Sequence, residues 1–431
     1  MAKNKTIPKR TELDKQYTWA IEDLYATDEQ WQEEYDKIKS LLPKLTDYQG
    51  KISQSADALL SFLKLSDEVN LLLERVYVYA HQRYHEDTAN PVYQDLSNKA
   101  SAIMVQASSA VSFAKPEILS IPEDKLEGFI NECEGLKLYD FYLKNILRQK
   151  PHVLTAEMEE LLASAGEVTE AADNIYSMFN NADIKFPEIT DENGEKVRIT
   201  HGRFIKLMES ADRRVRKDTF MGLYNTYNSF RNTLAATFSA NVKQEVFYTK
   251  ARKYNSSLER ALDANGIPVN VYTNLIDAVH ENMHLMHRYV SLRKKLLGLD
   301  EMHMYDLYTP LVADVEMEIP FDEAKKMVEE GLKPLGEEYR NILNEGFNNR
   351  WIDIYENENK RSGAYSWGAY GTHPYVLLNY NDTLDNVFTL AHEMGHAIHS
   401  YYSDKTQPYI YAGYKIFVAE VASTCNESLL I

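Results

Sequence analysis

Apolar residues recur at i, i+3, i+4 and i+7 along most of the chain, as in Leu59, Phe62, Leu63 and Leu65 to Leu73, the spacing that lines one face of an α-helix. It predicts successive long helices over residues 28–45 (DEQWQEEYDKIKSLLPKL), 56–87 (ADALLSFLKLSDEVNLLLERVYVYAHQRYHED) and 90–114 (NPVYQDLSNKASAIMVQASSAVSFA), then from 203 to about 298, and again over 322–347. Two stretches break the pattern. In ADIKFPEITDENGEKVRITHGRF (182–204), polar and apolar residues alternate on either side of DENG, which reads as a β-hairpin turning at Gly194. SGAYSWGAYGTHPYVLLNYND (362–382) reads as one or two strands with an exposed edge, since Pro374 is tolerated at an edge or a strand start. The expected fold is therefore mainly α with a small sheet. Taking the hairpin as a boundary gives an N-terminal helical region at 1–115, a helical lobe ending in the hairpin at 116–200, and a third region at 201–431.

Composition agrees with this reading, with only 17 Gly and 13 Pro among 431 residues. The formal net charge of −18 argues against a nucleic-acid partner, because phosphate contacts need a basic surface. No uncharged apolar run reaches the ~18 residues of a membrane span. The basic start, MAKNKTIPKRTELDKQ, has no apolar stretch behind it. A cytoplasmic protein without membrane attachment is expected. Cys133 and Cys425 are too few for a disulfide framework and are expected to be buried free thiols.

Candidate chemistry lies in a His-Glu-x-x-His pattern that occurs twice, at His280, Glu281 and His284 and at His392, Glu393 and His396. On a helix, residues i and i+4 sit about 40° apart around the axis and roughly 6 Å along it, so two imidazoles can converge on one ion. The intervening Glu falls in the same arc and reaches water bound to that ion. Flanking residues separate the two copies. From 384 to 403 the only charged side chains are Asp385 and Glu393, as expected of a helix embedded beneath a cleft. From 276 to 295 there are Asp277, Glu281, Arg288, Arg293, Lys294 and Lys295. That earlier helix also has an apolar stripe of its own, Ile276, Val279, Met283, Met286 and Val290, which directs Glu281 towards solvent.

The later copy also contains Gly395, whose cost of about 1 kcal/mol relative to Ala in a helix makes sense if a backbone or ligand approaches closely. After a loop punctuated by Pro408 and Gly413, KIFVAEVASTCNESLL resumes as a helix that can fold back and bring Glu420 beside the histidines. Glu420, Ser423, Thr424 and Glu427 share one face of it. Glu427 is either a partner supporting a ligand or an ordinary helix-end carboxylate. His399 and His373 are near the site in sequence and read as polar neighbours.

These residues carry a resemblance. GAYSWGAYGTHPYVLLNYNDTLDNVFTLAHEMGHAIHSYYS followed by FVAEVASTCNE, together with HMYDLYTPLV and RWIDIYENENKRSGAYS, resembles the oligoendopeptidase F group of the thimet oligopeptidase-like zinc metallopeptidases. The resemblance implies one zinc ion per chain held by His392, His396 and Glu420, with Glu393 as catalytic base. It further implies a large helical body divided by a deep channel that admits oligopeptides, and makes 201–431 the catalytic domain. Substrate is expected in extended form along 372–380, with His373 and Tyr375 as candidate contacts. Members of the group continue past the third ligand into a segment that supplies oxyanion donors. NESLLI stops within an apolar helical pattern with no Gly or Asn cap. The sequence therefore raises an alternative expectation, a truncated, non-catalytic form that only binds peptides.

Overall fold

The computed structural model describes residues 7–311 and 318–431; residues 1–6 and Val312, the last residue of HMYDLYTPLV, lie outside these. Helices α1 (Asp28–Thr46), α2 (Ala56–Glu86) and α3 (Pro91–Ala110) form where the periodicity places them. Each starts at a side-chain cap: Thr27 accepts from the Gln30 amide, Ser55 from that of Ala58, and Asn90 from that of Val92. Their apolar stripes meet in one buried cluster that includes Trp31, Ile38, Leu59, Leu73, Ala100 and Ile103. The cluster continues through short helices to Ile146, so the core crosses residue 115 without a gap.

The hairpin consists of β1 (Glu188–Thr190) and β2 (Lys196–Arg198), antiparallel, with Gly194 at a φ of +82° that favours glycine. It is shorter than the alternation predicts, because the Asp191 carboxylate accepts from the Asn193 and Glu195 amides and closes the turn early. Helices α4 (Arg213–Ser229), α5 (Arg231–Ala251) and α6 (Val269–Leu296) follow. Helix α6 carries the first His-Glu-x-x-His copy, and its stripe departs from expectation: Ile276, Val279, Met283 and Met286 are exposed. The single helix expected over 322–347 is two, α7 (Phe321–Gly331) and α8 (Glu337–Asn348), separated by a turn containing Pro334 and by Gly336 at φ +93°. The thiols are free, but Cys133 is only partly buried and Cys425 is exposed.

A three-stranded sheet comprises β3 (Ile352–Tyr355), β4 (Tyr365–Trp367) and β5 (Tyr375–Tyr380), in the order β3-β5-β4. Strand β3 is parallel to β5 and was not anticipated; β4 is antiparallel, with Ser366 opposite Val376. Pro374 immediately precedes β5, as its missing N–H requires. The strand over 375–380 is therefore central, with a partner on both sides, and the open edge nearest the second His-Glu-x-x-His copy belongs to β4. The sheet divides two cores. Tyr375 and Leu377 face the α1–α3 cluster, while Val376, Leu378 and Tyr380 face α7, α8 and α9 (Leu384–Thr406).

The chain's early residues fasten this sheet. The Arg10 guanidinium makes a two-point bond to Asp353 on β3 at 2.9 and 2.5 Å, Lys360 reaches the same carboxylate at 2.6 Å, and the Ala20 amide donates to the Arg350 carbonyl. Asp353 is completely buried. Burial alone would push its carboxyl up, but Lys360 and Arg10 hold it below the usual carboxylate range. Among the described residues, no helix is long and apolar enough to cross a membrane.

Candidate metal centre

Helix α9 begins at Thr383, whose hydroxyl accepts from the Asn386 amide, and it buries Val387, Leu390, Ala391, Met394, Ala397 and Ile398 against the sheet, α7 and α8. His392 and His396 lie one turn apart on its remaining face. Helix α10 (Ile416–Leu430) packs directly on that region. A Cβ added at Gly395 would lie 2.8 Å from the Ser423 Cα and 2.9 Å from the Ala422 carbonyl oxygen, so two backbones meet where the glycine stands. Asn426 secures the crossing by donating to the Ala391 carbonyl at 2.9 Å while accepting from the Tyr339 hydroxyl.

Three side chains converge there. His392 Nε2 lies 3.1 Å from His396 Nε2, and Glu420 Oε2 lies 3.3 and 3.4 Å from these two nitrogens. Bonds of about 2.0–2.1 Å in a tetrahedral site place neighbouring ligand atoms about 3.3 Å apart, so both donor set and spacing fit one zinc ion. Among the described residues this is the only cluster of three or more such side chains. His392 Nδ1 donates to Glu427 at 2.7 Å, so in the neutral ring Nε2 is the nitrogen that carries the lone pair. Desolvation lowers the His396 pKa, against the raising effect of Glu420, favouring the neutral ring a metal needs. Ser423 donates to Glu420 Oε2 at 2.8 Å and is the main reason that carboxyl is held low. Glu420 is half exposed, so the cluster opens to solvent on one side.

Glu393, on the same helix, stands close enough to His392 and Glu420 for their charges to act on it. It is 7% exposed, and its Oε2 has no hydrogen-bond partner. Burial pushes its carboxyl up to about 7, with His392 and the Ser366 amide opposing and Glu420 assisting. A buried carboxylate oxygen left without a partner is expensive unless it has a task. Strand β4 passes beside it. At Trp367, β4 meets the wall of a cavity of about 1020 Å³ between α2, α3 and the 409–413 turn, also lined by Leu63, Glu74, Tyr77 and Met104.

The other residues singled out from sequence lie apart from this cluster. His280, Glu281 and His284 are exposed on α6. His373 stacks on Trp351 and faces Asp23. Tyr375 is fully buried and donates to the Ala20 carbonyl, and its strand is paired on both sides, so the unpaired edge is that of β4. Asn426, Tyr339 and Ser366 were not identified from sequence. Asn426 lies one turn beyond Ser423 on α10, the only signal that could have marked it.

Known proteins resemble this chain over nearly its whole length. The sequence pattern of peptidase family M3 matches residues 206–431, and that of oligopeptidase F matches residues 117–186. Oligopeptidase PepF of Bacillus subtilis is 51% identical over 424 residues, covering 98% of this chain and 63% of that protein. Group B oligopeptidase PepB of Streptococcus agalactiae is 42% identical, covering 98% and 70%. The chain thus spans a little under two thirds of the Bacillus protein's length. Among solved structures, oligoendopeptidase-F from Enterococcus faecium superposes with a TM-score of 0.72 at 37% identity, over 94% of this chain and 66% of that one. A putative peptidase from Chlamydophila abortus gives 0.71 at 37% identity, over 99% and 71%.

Proposed function

We propose, on the premise that this chain belongs to peptidase family M3, that it is a zinc-dependent endopeptidase hydrolysing oligopeptides. His392, His396 and Glu420 would hold one zinc ion per chain, and Glu393 would be the catalytic base. The observation that carries the proposal is the triangle of 3.1, 3.3 and 3.4 Å among the three donor atoms, with the buried Glu393 carboxylate, one oxygen of which has no partner, on the same helix. Bound zinc would polarise the scissile carbonyl and lower the pKa of a water towards about 7.

The protein's own groups perform the proton work. Glu393 Oε2 has an open lone pair and a pKa close to neutrality, so it takes a proton from the attacking water and can then give it up to the departing nitrogen. Glu427 keeps the His392 ring in one orientation, and Ser423 does the same for Glu420. Substrate adds in extended form along the outer edge of β4, whose backbone groups there have no strand partner. Beyond Trp367 the peptide continues into the 1020 Å³ cavity, large enough for several residues. That cavity would form part of the channel dividing the helical body. Residues 201–431 are proposed as the catalytic domain and the cytoplasm as the place of action. No observation favours the non-catalytic alternative.

Two measurements on the zinc-loaded, dialysed protein test this: metal content, and hydrolysis of a quenched fluorescent oligopeptide with and without chelator. One zinc per chain and chelator-sensitive hydrolysis are expected. Hydrolysis that survives complete metal removal would overturn the proposal.

A further inference from the structure

Strand β4 is three residues long and paired to the sheet on one side only. A strand that short needs other anchors to stay in place. Tyr365 and Trp367, two residues apart, project from one face of β4 onto a row of rings on α2, formed by Tyr77, His81 and His85 at successive turns. His85 lies 5.5 Å from Tyr365 between ring centres, and Tyr77 lies 6.0 Å from Trp367.

Hydrogen bonds fix the far end of this row. Arg361 Nη1 donates to His85 Nε2 at 2.8 Å, and the Arg361 amide donates to the His85 carbonyl at 2.9 Å. A guanidinium can only donate, so Nε2 is the bare nitrogen and the ring proton sits on Nδ1. That proton is donated to the Tyr365 hydroxyl oxygen at 2.7 Å. Burial, with Arg361 adding to it, depresses the His85 pKa well below its ordinary value and keeps the ring neutral.

We propose that His85 is a positioning residue: its Nδ1–H bond to Tyr365 sets the place of β4 beside Glu393, and with it the open edge that receives the peptide. This rests on the peptidase reading above. Nothing in the arrangement touches the metal cluster, so zinc binding is independent of it.

Tyr365→Phe removes one hydroxyl and keeps the ring packing, so it tests the link even where His85→Leu folds poorly. Both variants should retain one zinc. Each should lower kcat/KM for a quenched fluorescent oligopeptide about tenfold, the worth of one hydrogen bond. The double variant should lose no more than the worse single one, because both cut the same link. Amide exchange over 363–369, read by mass spectrometry, should be faster in each. Parent-like kcat/KM and exchange in Tyr365→Phe would overturn the proposal. If the parent chain does not cleave the peptide, it is the peptidase reading that fails, and exchange alone decides: unchanged exchange removes His85 as the anchor, and faster exchange keeps it.

Discussion

Replacing Gly395 with alanine sets two effects of opposite sign against each other. In an unconstrained helix the change should stabilise by about 1 kcal/mol, because glycine is the poorer helix former. Here the new Cβ would meet the Ser423 Cα at 2.8 Å and the Ala422 carbonyl at 2.9 Å. Both are backbone atoms and cannot rotate away. Ordinary contact starts near 3.4 Å, so α10 must retreat by about 0.6 Å, and overpacking of this kind costs about 1–3 kcal/mol. Glu420 moves with α10 while the two histidines stay on α9. Metal sites tolerate shifts of only about 0.2 Å in ligand distance, so zinc affinity should fall at least tenfold and the melting temperature should drop. Competition with a chromophoric chelator reads the first, and thermal unfolding of the metal-free protein reads the second. Gly413→Ala is the control, since a Cβ there meets nothing within 4 Å. A Gly395→Ala protein that binds zinc like the parent and melts higher would refute the reasoning that this glycine exists for the helix crossing.

Three further outcomes are expected. His392→Ala and His396→Ala should abolish stoichiometric zinc, whereas His280→Ala and His284→Ala should leave it unchanged by metal analysis. Glu393→Gln should keep zinc but lower turnover by about 10²- to 10⁴-fold, the usual share of a general base; near-parental turnover would mean another residue takes the proton. Asp306 is fully buried, and although burial opposes its ionisation, Arg213, the His303 amide and Arg216 bring its pKa down to about 2. Its unfolded value is about 3.9, so its contribution is complete above that pH and is lost as pH falls towards 2. Urea unfolding at pH 7 and pH 3 should show a fall that Asp306→Asn makes smaller.

The helices that carry the site were legible because a 3.6-residue period depends only on neighbours along the chain. So was the convergence of the candidate ligands, since His392 and His396 announce their own geometry and an acidic face on the following helix supplied Glu420. What failed depends on distant partners. Strand β3 escaped notice because Asp353 sits between two isoleucines as if facing solvent, whereas it is buried against Arg10, 343 residues earlier. Tyr375 was misplaced at an edge for the same reason: with β3 unseen, β5 had one neighbour too few. Sequence indicated that something must come close to Gly395, but only the crossing of α9 and α10 identifies that neighbour as backbone. Asn426, which holds the crossing, looks like any polar residue near a helix end.

The bond from Arg10 to Asp353 also has a consequence in time. Ribosomes add about 5–20 residues per second, so the 343 residues between these partners separate their appearance by roughly 20–70 s. Through that interval the segment around Trp19 and Tyr25 can join the α1–α3 cluster, whose buried members all lie within the early part of the chain apart from Ala369 and the sheet residues Tyr375 and Leu377, but its polar bonds to the sheet must wait. The wall behind α9 is therefore completed late, by a long-range closure that local structure cannot hasten. Until Asp353 has been made, the aromatic residues of the opening segment lack their sheet partners, and agents that shield them during synthesis are expected to raise the yield of folded protein.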